Sequence, residues 1–311
     1  MREPISTAKP VSASKAQQSG KLSRFWRRTR IVTSSVWAKP EGKFAVLILG
    51  LWVLAALVSL VWTPQPLLAT NGYEAWQTPS RIHLLGTDGT GADLLSWLLA
   101  GSSTNLAICI LTVSFAAALG TLLVAATVSR STALSNTSIV LVDALISIPT
   151  VLIALILAVP MGASVAVIVL ACGLGYGLNL ARVVRPQALL AANADYTYSA
   201  LSSGASGWQI LISHILPNIA QPMAVQLSLS AGTSILAESG LTYLGVGVPS
   251  GLPSWGHSLA TSVKFIAVYP LTVLWPGLVV TVVVVALNLF GDALRDAIDP
   301  ASNAALRKVA A

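Results

Sequence analysis

The chain has 311 residues, of which 55% are hydrophobic and only 9% charged. A soluble domain carries about 25% charged residues, so this composition excludes an ordinary water-soluble fold and points to lipid as solvent. The net charge of +7 would suit a nucleic-acid binder, but ten of the 18 Lys and Arg residues crowd into positions 1–43, which fits a membrane-orientation signal instead.

Residues 1–43 therefore read as a cytoplasmic basic tail. Positions 1–22, rich in Ser, Ala, Gln and Lys, have the composition of a segment that does not fold alone. Arg24-Phe25-Trp26-Arg27-Arg28-Thr29-Arg30 mixes cations with aromatics. That suits a short helix on the inner leaflet, and equally a solvated basic tail. Six apolar runs follow, at 44–63, 104–128, 137–159, 161–182, 222–244 and 270–290. Each approaches the ~20 residues that cross the hydrocarbon core. The first sits too far behind the basic tail for a cleaved signal peptide and is expected to stay as an anchor. With six spans and the N-terminus inside, 16 basic residues fall inside and only Arg81 and Lys264 outside. Both termini are then cytoplasmic.

Residues 64–100 form the longest outside segment, with the string His83-Leu84-Leu85-Gly86-Thr87-Asp88-Gly89-Thr90-Gly91-Ala92-Asp93. Asp93 is placed to cap a helix through Leu94-Leu95. Calcium binding by Asp88 and Asp93 is the weaker reading, because the string lacks the carboxylate density of a calcium loop. Residues 101–290 form the span-rich core. Cys109 and Cys172 fall within it and suggest neither a disulfide nor a metal site. Gly173-Leu174-Gly175-Tyr176-Gly177 contains GxxxG, a spacing that lets helices approach closely.

Two carboxylates lie inside spans. Asp143 sits six residues before Pro149 and has no Lys or Arg at helical spacing. A charge at mid-membrane costs roughly 2.5–3.5 kcal/mol on insertion scales, so Asp143 must face the bundle or an aqueous path. Glu238 lies near the outer end of the fifth run, where it serves either packing or an outer gate. Trp255, in the outside loop 246–269, is placed to anchor at the membrane interface. Residues 291–311 form a cytoplasmic tail, whose first stretch, Gly291 to Asp299, reads as a short amphipathic helix terminated before Pro300.

The polar island 190–218 separates the fourth and fifth runs. It reads as a short helix, a turn at Gly204, a second short helix closed by a break at Leu216-Pro217, and a proline-marked entry into the membrane, since Pro217 cannot continue a helix without losing a hydrogen bond. Gly204-Ala205-Ser206-Gly207 also matches the GxSG of intramembrane serine proteases, but it lies on a polar loop with only His214 nearby. No GxxxxGK[ST] and no HExxH occurs, so the chain carries no ATP-binding motif of its own.

The island resembles the cytoplasmic loop of ABC-importer permeases, whose pattern runs E-A-A, a glycine four residues later, then Ile-x-Leu-Pro. Ala200, Gly204, Ile215, Leu216 and Pro217 match, while Tyr198 and Ser199 replace the first two positions. Arg182-Val183-Val184-Arg185, Asp195-Tyr196, Ile235-Leu236-Ala237-Glu238, Pro253-Ser254-Trp255-Gly256 and Asn288-Leu289-Phe290-Gly291-Asp292 extend the likeness. Over residues 83–300 the chain is similar to permeases of the dipeptide, oligopeptide and nickel class, and within it to the second of two paired subunits. That family usually has Arg where this chain has Ala92.

The resemblance implies an all-α polytopic fold of the type I importer kind in the bacterial cytoplasmic membrane. It also implies import of di- or oligopeptides or nickel chelates by alternating access. Its partners would be a homologous permease, two cytoplasmic ATP-binding subunits and an extracytoplasmic binding protein, with membrane lipid around them. No cofactor, catalytic site or nucleic-acid partner is implied. Asp195, Tyr196, Tyr198, Ala200, Gly204, Ala205, Ser206, Leu216 and Pro217 would couple to the ATPases, and Asp143 and Glu238 would line the pathway or a gate. An ion-coupled secondary carrier is the competing class. It would need charged midplane sites on broken helices, for which only Asp143 and Glu238 are available.

Overall fold

A computed structural model describes residues 30–67, 69–299 and 303. The expectations for positions 1–29 lie outside them. Among the described residues the secondary structure is helical, apart from one isolated bridge between Thr87 and Asp93. Helical backbone at 30–38 leads into α1 (Pro40–Ser59), so the first span starts four residues before the apolar run at 44, with Pro40 in its first turn. Then come α2 (Leu94–Thr127), α3 (Thr132–Ile146), α4 (Thr150–Met161) and α5 (Val165–Ala192). The polar island holds α6 (Asp195–Ser202) and α7 (Gly207–Ile210). Finally α8 (Leu216–Tyr243), α9 (Trp255–Ser262) and α10 (Pro270–Ile298) complete the chain.

Two further boundaries differ from the sequence reading. Residues 94–100 belong to α2 and not to the outside segment, because Asp93 caps the helix: its Oδ2 accepts from the Ser96 N–H at 2.8 Å. The last span runs on to Ile298, so the short helix expected at 291–299 is continuous with it and ends before Pro300. The helices α1, α2, α5 and α10 are long and apolar enough to cross a membrane, with a fifth crossing if α3 and α4 form one span. The sixth expected span, α8, has 28 residues. Its length suffices, but Gln221, Gln226, Ser228, Ser230, Thr233, Ser234, Glu238 and Ser239 dilute its apolar character.

The expected third span is not continuous. The chain bends by 86° between α3 and α4. Pro149 explains the position of the bend, since the ring disfavours helical backbone at Ile148 and removes a donor.

The core is built around the pair α2 and α5. A Cβ on Gly120 would stand 2.6 Å from Leu180 Cδ2 and 3.0 Å from the Gly177 carbonyl oxygen. The GxxxG of α5 therefore does let two backbones approach. At one end Trp52, Leu98, Ile235, Trp255 and Val283 join α1, α2, α8, α9 and α10 in one apolar cluster. At the opposite end Val124, Leu180, Val184, Ala188, Ile210, Ile215 and Ile219 tie α2, α5, the polar island and α8 together. Lys39 reaches Asp296 at 2.5 Å, linking the start of α1 to the end of α10.

Candidate functional site: the 190–218 segment and the intramembrane carboxylates

The polar island is short and well anchored to its neighbours. α5 ends at Ala192, and α6 begins three residues later. Thr197 is buried and its hydroxyl donates to the Ala191 carbonyl at 2.8 Å, so α6 is tied back onto α5. The opposite face of α6 is open: Asp195, Tyr196 and Tyr198 are exposed. Ser203 and Gly204 turn the chain, with Gly204 at φ +86, where glycine is free of the Cβ penalty. Ser206 then caps α7. Its Oγ accepts from the Gln209 N–H at 3.3 Å, while Gln209 Oε1 accepts from the Ser206 N–H at 2.8 Å. This reciprocal pair is a capping box, and it gives Ser206 a structural role where the GxSG likeness suggested a nucleophile. His214 lies near Tyr196, with the two rings tilted by 35° and their centroids 5.6 Å apart.

The expected break at Pro217 does not occur. Leu211–Ile215 form a π-turn, and the Leu216 N–H donates to the Leu211 carbonyl. Pro217 then sits in the first turn of α8. The wider turn absorbs the donor that Pro217 lacks, so the helix continues through it.

Between α6, α7, the end of α5 and the α2–α3 turn lies a cleft of about 730 Å³, bordered by Arg130, Asn193, Tyr198, Ala205 and Trp208. Trp208 is 67% exposed. Tyr198, which borders the same cleft, is also exposed. Of the expected coupling residues, Tyr198 and Ala205 border the cleft, Tyr196 lies against His214 and Asn218, Asp195, Gly204 and Ser206 are exposed, Ala200 is half-buried, and Leu216 and Pro217 lie in the first turn of α8. Trp208 borders the same cleft and gave no signal in the sequence, because a lone tryptophan in an apolar run reads as core.

The two membrane carboxylates fare differently. Asp143 is exposed on α3, three residues before that helix ends. Glu238 is fully buried. It accepts from Asn105 Nδ2 at 2.9 Å and from the Thr242 hydroxyl at 3.0 Å. Asn105 in turn accepts the Trp255 N–H at 3.1 Å. Trp255 is 0% exposed, donates its indole N–H to the Leu98 carbonyl at 3.0 Å and packs 5.6 Å from Trp52. Its expected place at the interface is therefore corrected: Gly256 and Gly101 admit the α9 turn so closely to α8 and α2 that Trp255 is drawn into the core.

The outside segment is folded on its own turns. Asp88 Oδ1 accepts from the Thr90 N–H, the Thr90 hydroxyl and the Ala92 N–H, at 2.8, 2.7 and 3.0 Å. These bonds account for the carboxylate as a turn residue. Trp76 stacks on Tyr269 with 4.6 Å between rings. His257 of α9 is half-buried against Trp97; burial pushes its imidazole below the usual value, and the Asp88 carboxylate works in the opposite direction.

Residues 116–303 match the model of a family described as binding-protein-dependent transport system inner membrane component. The chain belongs to that family. This permease is 36% identical to a probable peptide ABC transporter permease protein of Sinorhizobium fredii, over 82% of this chain and 87% of the relative. It is 31% identical to a dipeptide transport system permease protein of Alkalihalophilus pseudofirmus, over 84% and 86%. It is also 31% identical to a glutathione transport system permease protein of Pectobacterium atrosepticum, over 85% and 89%. The chain is an ABC importer permease, a multi-pass inner-membrane subunit whose family supplies ATP hydrolysis from partner subunits.

Proposed function

We propose that this permease imports peptides, pairing with a homologous permease to enclose a path between them. Two ATP-binding subunits dock on the 190–218 surface from the cytoplasm, and an extracytoplasmic binding protein delivers substrate from the other side. The observation that carries the reading is the lever itself. Its outer face is exposed and aromatic, while its inner face is bolted to α2, α5 and α8 through Ile210, Ile215 and Ile219. A load applied at Tyr198 or Gly204 is therefore passed to three membrane helices at once, which is what alternating access by rocking helices requires. The peptide class rests on the relatives' names. Nickel chelates stay within the same proposal as a less supported cargo.

Asp195 and the exposed Tyr198 share the role that a glutamate fills in the usual E-A-A pattern. Asp195 supplies the acid one helical turn earlier, and Tyr198 supplies contact area. Asp143 lines the path, since an exposed carboxylate facing lipid would be strongly disfavoured. Glu238 is sealed among its own partners and acts as a clamp holding α9 against α2 and α8.

Purification of the tagged chain from its native membrane tests the assembly. A homologous permease and two ATP-binding subunits are expected to copurify; their absence under conditions that preserve the membrane complex would count against it. Orientation has its own test. With 16 basic residues placed inside against two outside, a single cysteine at Arg81 should react with an impermeant thiol reagent in intact cells, and one at Arg295 should not. Labelling of position 295 from outside would reverse the topology.

A further inference from the structure

Ahead of α2 the chain folds back on itself, and a cavity of about 320 Å³ lies between residues 65–74 and 82–93. Gln65, Thr70, Asn71, Glu74, His83 and Asp93 supply its polar lining, and among the described residues no Lys or Arg borders it. Its wall is rich in oxygen acceptors, with one imidazole among them.

That imidazole is held in a fixed orientation. His83 is 8% exposed and Asp93 4%. Asp93 Oδ1 lies 2.9 Å from His83 Nδ1, while Oδ2 accepts from the Ser96 N–H and the Ser96 hydroxyl. An ionised carboxylate only accepts, so Nδ1 carries a proton and neutral His83 presents a lone pair at Nε2. The backbone beside the ring is pinned as well. The His83 N–H donates to Ser80 Oγ at 3.0 Å, and the His83 carbonyl accepts from the Ser80 and Gly86 N–H groups. Nε2 itself has no hydrogen-bond partner among the described residues. Glu74 Oε2 faces it at 3.9 Å, too far for a hydrogen bond.

Glu74 is the movable half. Its carbonyl accepts from the Thr87 hydroxyl and its N–H donates to the Asn71 carbonyl at 2.8 Å, so its backbone is fixed. Its side chain is 42% exposed, and its carboxylate accepts no hydrogen bond among the described residues. Two ligands of a tetrahedral zinc ion, each at about 2.1 Å, stand about 3.4 Å apart. A shift of roughly half an ångström in an exposed side chain brings Nε2 and Oε2 to that separation. A carboxylate that holds one imidazole nitrogen while the other is left bare is also the support that metal-binding histidines use.

The geometry points to a divalent-metal site between His83 Nε2 and the Glu74 carboxylate, with Asp93 orienting the histidine and water filling the remaining positions. An imidazole ligand favours a zinc-like transition ion over calcium or magnesium, which prefer oxygen alone. With two protein ligands the site is weak. A bound ion would tie residues 72–74 to the start of α2 through Glu74, His83 and Asp93.

The test is equilibrium dialysis of the purified, EDTA-stripped complex against micromolar zinc, with bound metal read by atomic absorption. Partner subunits can carry zinc of their own, so the readout is the difference between variants in the same complex. Wild type should hold one more zinc per copy of this chain than Glu74→Ala, which removes an exposed side chain without breaking a hydrogen bond. His83→Asn should lose the same zinc while its amide still donates to Asp93. The affinity should fall tenfold or more in each, since removing an outer partner alone costs about 10–100-fold. Arg81→Ala, outside the cavity, should keep the ion, and millimolar magnesium should not displace it. Acidification should release it, because the imidazole must be neutral to bind. Equal zinc in wild type and Glu74→Ala overturns the site whatever His83→Asn does, and so does displacement by magnesium. Neither result bears on the family or on ATPase docking, which copurification reads separately.

Discussion

Gly204→Leu is expected to abolish uptake while leaving the chain inserted and paired with its sister permease. Gly204 has φ +86, and a Cβ built there meets nothing within 4 Å. Inside this chain the substitution costs only the left-handed backbone penalty of about 1–2 kcal/mol. A leucine side chain would instead project into whatever docks on α6 and α7. Ala200, one turn earlier and half-buried, predicts the same for Ala200→Trp. Gly204→Asn separates the two causes, because asparagine tolerates the left-handed region and is smaller than leucine. It should retain most of the coupling that Leu destroys. The measurement is copurification of the ATP-binding subunits together with uptake. Full ATPase retention and normal uptake in the Leu and Trp variants would remove this segment from the coupling role.

The second large effect is on stability. Glu238→Ala should leave the Asn105 amide and the Thr242 hydroxyl without their acceptor. Each buried unsatisfied group costs about 1–3 kcal/mol, and the lost side chain leaves a cavity. Thr242 Oγ1 also accepts the Val248 N–H at 3.0 Å, so the turn after α8 rests on the same network. A loss of several kcal/mol should appear as a clear drop in melting temperature of the detergent-solubilised complex. Glu238→Gln keeps the shape and one acceptor and should stay near the native value. A Glu238→Gln variant that melts normally but fails to transport would show a gating function and contradict the clamp.

The helical class, the order of the spans and the location of the polar island were all legible in the sequence. Apolar runs of span length and the crowding of Lys and Arg into positions 1–43 are long-range signals that no single side chain can reverse. The Asp93 cap was legible too, since its chemistry is local. What escaped was set by contacts between distant segments. Trp255 was read as an interface residue because tryptophan favours that place, yet Gly101 and Gly256 create the room that buries it. Asn105 gave no signal at all, because its partners Glu238 and Trp255 lie 133 and 150 residues away. The bend after α3 had a visible cue in Pro149, but its 86° angle had none. At Pro217 the local rule predicted a break, and the π-turn at Leu211–Ile215 replaced it with a continuous helix.

Reconstitution decides whether ATP drives alternating access in this permease. The chain, its sister permease, the ATP-binding subunits and the binding protein would be assembled in proteoliposomes with peptide. The account predicts uptake that requires ATP, together with hydrolysis that substrate-loaded binding protein stimulates and vanadate blocks. Peptide uptake driven by an ion gradient, with no ATP present and no response to vanadate, would contradict it.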